Sequence, residues 1–166
     1  LAFSGEEMGL LGSNWWAKHP AVPIEELNYM INMDMVGRLD TNNTIIINGV
    51  GTSPAWNVLR PDTAKAVKPV KRDPRKPKAP EPLKVKTTES GVGPSDHTSF
   101  YLKDVPVLHY FTGAHEDYHK PSDDEEKINY DGMLRITRHI EDLIVSLNDS
   151  GKVAFTKTAV DTTSSP

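Results

Sequence analysis

Between Tyr130 and Leu147, apolar side chains recur at Met133, Leu134, Ile136, Ile140, Leu143, Ile144 and Leu147. That spacing predicts an amphipathic helix with one apolar face, and such a face has to be covered by another layer of structure. The chain ahead of it supplies apolar, β-branched runs. Leu27 to Met35, Thr44 to Asn48, Leu83 to Thr87 and Val105 to Phe111 all read as strands. Helical patterns lie between them, at Gly9 to His19, closed by Pro20 and Pro23, and from about Ala55 to Val67 despite Pro61. Strands alternating with helices predict an α/β three-layer domain.

Composition narrows the class. At 166 residues the chain fits one domain with a real core. A net charge of −4 gives no global attraction to nucleic acid or to an anionic membrane, so neither is expected as a partner. No apolar run approaches the roughly 20 residues that span a bilayer. The absence of cysteine excludes disulfides, thiolate catalysis and Cys-type zinc sites. The domain is expected over residues 1–148, with a loosely held Ser/Thr-rich tail over 149–166. Lys68 to Pro82 carries five prolines among six lysines and arginines, and reads as an exposed loop. Its basic run also fits a phosphate-binding patch, but without aromatic interleaving a solvated loop is the favoured reading.

Chemistry concentrates in four short stretches. Leu1 to Ser13 runs from an apolar start through Glu6 and Glu7 into a Gly/Leu segment, which reads as a strand end, a tight turn and a helix start. Adjacent side chains on an extended backbone point to opposite sides, so one carboxylate could hold a metal while the other faces the water that metal activates. The same pair could simply complement a helix dipole. Asp34 ends a buried apolar run and needs a partner there; a helix N-cap, Arg38 or a metal would serve. Ser95, Asp96 and His97 contain the residue types of a hydrolase triad, but sequence neighbours cannot converge as a triad does. Ser95 or Asp96 capping a helix that runs to about Lys103 is the simpler reading. His115 and His119 stand four apart, which would suit a metal if helical. Gly113 and Pro121 flank them and favour a loop, so one ligand at most is expected from the two.

Taken in order, four motifs resemble the M28 family of zinc aminopeptidases. They are Phe3 to Ser13, Asn32 to Arg38, Gly93 to His97, and Tyr118 to Asp123. The resemblance runs from Leu1 to about Leu147. It implies a mixed, mostly parallel sheet between helices, with two zinc ions near the strand ends. It implies Glu6 as general base and Glu7 and His119 as ligands of one zinc. Asp34 becomes a ligand of the other zinc, and Tyr118 a group that helps polarise the substrate carbonyl. Ser95, Asp96 and His97 are expected to line the substrate pocket. The family's further zinc-binding histidine and its bridging aspartate precede the Glu-Glu motif and have no counterpart after Leu1.

The function expected from the resemblance is therefore an exopeptidase that hydrolyses N-terminal peptide bonds. The 166-residue chain alone is expected to be inactive, to bind at most one zinc weakly, and to associate with itself or with a preceding segment of the same domain. A glutaminyl-cyclase-like acyltransferase using one zinc, or a non-catalytic domain of the same fold, are the alternatives. Bacterial relatives are often secreted or periplasmic, and the Ser/Thr-rich tail is compatible with that.

Overall fold

The computed structural model describes residues 1–60 and 81–159. Four strands form one sheet: β1 (Met30–Asp34), β2 (Thr44–Asn48), β3 (Lys84–Thr88) and β4 (Val107–Phe111), in the order β1-β4-β2-β3. β1 runs parallel to β4 and β2 parallel to β3, while β2 and β4 are antiparallel. The sheet is thus mixed and mostly parallel, as expected.

Alternation along the strands assigns the two faces. Ile45, Ile47, Leu108 and Tyr110 point to one side and pack with Ile136, Ile140, Leu143 and Leu147 of helix α3 (Tyr130–Leu147). Val107 points the other way and packs with Phe100 and Tyr101 of the short helix α2 (His97–Tyr101). Phe3, Met30 and Trp16, the last on helix α1 (Leu11–Lys18), close that side. One helix covers one face and two cover the other, which gives the three layers. α3 starts where the Asn129 side chain accepts from the Gly132 amide, an N-cap.

Several expectations change in detail. Residues 1–5 form no strand; the chain turns at Gly5 (φ 68), where the Gly12 amide donates to the Ser4 carbonyl and the Leu11 amide to that of Gly5. A strand needs a hydrogen-bonded neighbour, and among the described residues none pairs with this stretch. Pro54–Leu59 is a 3₁₀ helix instead of the start of an α-helix. The rest of that expected helix and the Pro/Lys loop, apart from Glu81 and Pro82, lie outside the described residues. In the polar C-terminal stretch, residues 151–158 are held against the body. Val153 is buried, its amide donates to Asn28, the Thr156 amide donates to the Thr52 carbonyl, and the Thr158 amide donates to the Tyr101 hydroxyl. The composition of this stretch gave no sign of those contacts because each is made with a distant segment.

Candidate active site

In an open α/β sheet, reactive groups gather beyond the carboxyl ends of the strands. β1 and β4 are parallel neighbours, so Asp34 at the end of β1 and the loop after Phe111 lie on the same rim. The turn after Gly5 brings Glu6 and Glu7 to that rim. Glu7 Oε1 and His119 Nε2 stand 2.7 Å apart, across 112 residues of sequence. Asp34 Oδ2 accepts from the Ser95 hydroxyl at 2.9 Å, and Ser95 accepts from Asn32 at 2.8 Å. The Ser95 side chain also lies close enough to Glu6 to lower its carboxyl pKa. The four sequence motifs converge on one place.

Their charges act on one another. Burial raises the Glu6 carboxyl above its ordinary value, the charges of Glu7, Asp34 and Asp96 raise it further, and the Ser95 side chain opposes them. Partial burial pushes the Tyr118 hydroxyl up, and Glu7, Asp34 and Glu6 add to the shift. A carboxyl raised by desolvation and like charge is the setting in which general bases are found.

The backbone is unusual at the same points. Leu10, Met35 and His119 adopt left-handed conformations (φ 58, 51 and 56) that non-glycine residues avoid. They follow Glu7 by three residues, follow Asp34 by one, and carry the His119 imidazole itself. Such conformations cost on the order of 1–3 kcal/mol each and persist where surrounding contacts enforce them. For His119 those contacts are visible. Its ring stacks on Tyr118 with centroids 3.8 Å apart. The neighbouring Asp117 is buried and accepts from Arg38 (2.5 Å), Ser122 (2.7 Å) and Lys127 (2.5 Å). Arg38 also binds Asp123 at 2.7 Å. Arg38 therefore serves the loop and is not the partner of Asp34.

His115 takes a different partner from His119. Its Nε2 lies 3.8 Å from Asp123, so the loop separates the two histidines, as Gly113 and Pro121 suggested. Ser95, Asp96 and His97 are all buried. Neither Ser95 nor Asp96 caps α2 with its side chain, because Ser95 is engaged by Asp34 and Asn32. His97 stacks on His109 at 4.5 Å and 14°. Burial, reinforced by His109, pushes the His97 imidazole down to about 3, and burial lowers His109 as well. Sequence reading passed over His109, although one histidine in the apolar run Val105 to Phe111 is itself a signal. It also passed over Asp117, whose role depends on Arg38, 79 residues away.

The chain matches the model of peptidase family M28 over residues 1–144. It belongs to peptidase family M28. The LapA aminopeptidase of Legionella pneumophila superposes with a TM-score of 0.61 at 21% identity, covering 87% of this chain and 37% of that one. BSAP, a zinc aminopeptidase from Bacillus subtilis, gives 0.63 at 21% identity, with 96% and 36% covered. An aminopeptidase from Aneurinibacillus sp. strain AM-1 gives 0.60 at 21% identity, with 98% and 35% covered. These structures share the fold, and the chain spans little more than a third of their length. No curated protein sequence matches it.

A carboxylate and an imidazole facing each other are donors that suit zinc. Catalytic zinc sites use three protein ligands, and no such group of three is gathered among the described residues. The Glu7–His119 pair fits part of a zinc shell.

Proposed function

We propose that this chain carries part of the active site of a zinc-dependent aminopeptidase, with a peptide as substrate. The observation that carries this reading is the approach of Glu7 to His119 beside Glu6 and Asp34. A bare carboxylate cluster at a sheet rim is costly unless a cation or an ammonium group balances it.

Glu7 and His119 would hold one zinc, and Asp34 would serve a second. Zinc bound this way supplies a water of lowered pKa, about 7, and polarises a carbonyl. Glu6 would take a proton from the attacking water and return it to the departing amine. Its raised carboxyl pKa makes it a stronger base than an ordinary glutamate, which suits the first of these steps. Tyr118, half-exposed beside the three carboxylates, has its hydroxyl held protonated and able to donate to the carbonyl oxygen. The cluster of Glu6, Glu7, Asp34 and Asp96 also favours a substrate with a free, positively charged N-terminus.

The experiment is Glu6→Gln in the full-length protein. Zinc content should be unchanged, and turnover of aminoacyl-nitroanilides should fall by about 10²–10⁴-fold. Unchanged turnover would show that Glu6 is not the base. Cyclisation of N-terminal glutaminyl peptides without hydrolysis would replace this function with acyl transfer.

A further inference from the structure

The strand register lines up four polar residues across the sheet. Asn32 on β1 is opposite His109 on β4, His109 is opposite Asn48 on β2, and Asn48 is opposite Thr88 on β3. Directly opposed residues share a face, and Asp34, two residues beyond Asn32, points the same way. This row lies on the α2 side, within a sheet that is otherwise packed with apolar groups.

The hydrogen bonds along the row have a direction. The Thr88 hydroxyl donates to Asn48 Oδ1 at 2.7 Å, and Asn48 Nδ2 donates to His109 Nδ1 at 3.1 Å. A ring nitrogen that accepts carries no proton, so the proton of the neutral imidazole sits on Nε2. That Nε2 is buried, has no hydrogen-bond partner among the described residues, and faces Asp34 Oδ2 at 3.9 Å. A lone pair aimed at a carboxylate from a buried ring nitrogen would be unfavourable, so both ends of the ring require the same tautomer. The ring plane is fixed too, with His97 stacked against it at 4.5 Å and Phe111 at 5.8 Å.

We propose that His109 is a positioning residue for Asp34. Its Nε2–H is directed at the Asp34 carboxylate, Asn48 and Thr88 set its tautomer, and His97 and Phe111 hold its plane. Together with the Ser95 hydroxyl, it presents that carboxylate to zinc in one orientation. The inference rests on the reading of Asp34 as a zinc ligand. Carboxylate ligands are themselves commonly held by hydrogen bonds, and removing such a partner typically costs 10–100-fold in metal affinity.

The test uses the full-length protein and zinc affinity read by competition with a chromogenic chelator. His109→Leu should lose about 10–100-fold in affinity. His109→Gln, whose amide can donate from nearly the position of Nε2, should restore most of it, which a purely space-filling role would not predict. Equal affinity for His109→Leu and the parent would overturn the proposal. Asp34→Ala separates the two readings. If it binds zinc as the parent does, the ligand reading of Asp34 fails and this proposal falls with it. If it loses zinc while His109→Leu does not, only the positioning role is overturned. Ring-¹⁵N histidine spectra of the parent decide independently of any variant's folding: an Nε2–H tautomer at His109 is expected, and an Nδ1–H tautomer would overturn the proposal.

Discussion

A methyl group at Gly12 would lie 2.6 Å from the Ser4 carbonyl oxygen and 2.8 Å from its amide nitrogen. The turn that carries Glu6 and Glu7 folds back on α1 at that point, so its tightness depends on the missing side chain. Gly12→Ala should destabilise the protein by about 1–3 kcal/mol, as overpacking does, measured by chemical denaturation. It should also weaken zinc binding, because Glu7 would shift relative to His119. Asp117 gives a second prediction at this scale. Hydrogen bonds from Lys127, Ser122 and Arg38 hold its carboxyl well below the usual 3.8. A depressed carboxylate contributes stability above its unfolded pKa and loses it as pH falls through the folded value. Asp117→Asn should therefore be less stable than the parent at neutral pH. The gap should close as pH falls from about 4 downward, in denaturation curves recorded across that range.

Among the elements, α3 makes the firmest prediction. Ile140 is buried against the sheet and Leu134 is half-exposed. Ile140→Ala should cost about 2–5 kcal/mol, and Leu134→Ala should stay within about 0.5 kcal/mol. Thermal unfolding of the two variants side by side checks the difference. α3 and β2 were legible to the residue, Tyr130–Leu147 and Thr44–Asn48, because helical periodicity and a β-branched run closed by glycine are local signals. β1 and β4 prove shorter than their apolar runs, since pairing sets strand length and hydrophobicity does not. Pro54–Leu59 could not be told from an α-helix because short 3₁₀ and α segments use similar residues. The site was legible only in part. The Glu-Glu pair, Asp34 and the histidine loop stood out as polar groups in apolar or Gly-rich surroundings, and their family order joined them. The row through His109 was hidden because it exists only once three strand registers are set.

At the scale of the whole molecule, the outer edge of β1 has no strand partner among the described residues. Beside it lies a groove of about 390 Å³ that includes Phe3, Trp16, Tyr29, Met30 and Phe100. An open strand edge next to apolar surface favours association with another chain. The 166-residue chain studied alone should therefore self-associate in analytical ultracentrifugation. It should hold at most one zinc, weakly, after dialysis, and show no appreciable peptidase activity. Two tightly held ions per chain in metal analysis would mean that the ligands lie elsewhere. The pairing of β1 with β4 also bears on how the site is made during synthesis. Asp34 stands opposite Phe111, 77 residues later in the chain, and His119 comes later still. At a translation rate of about 5–20 residues per second, Asp34 leaves the ribosome roughly 4–15 s before the strand that will lie beside it. During that interval the carboxylates of the nascent chain stand apart from His119, so the site as a whole assembles only after β4 and its loop have emerged.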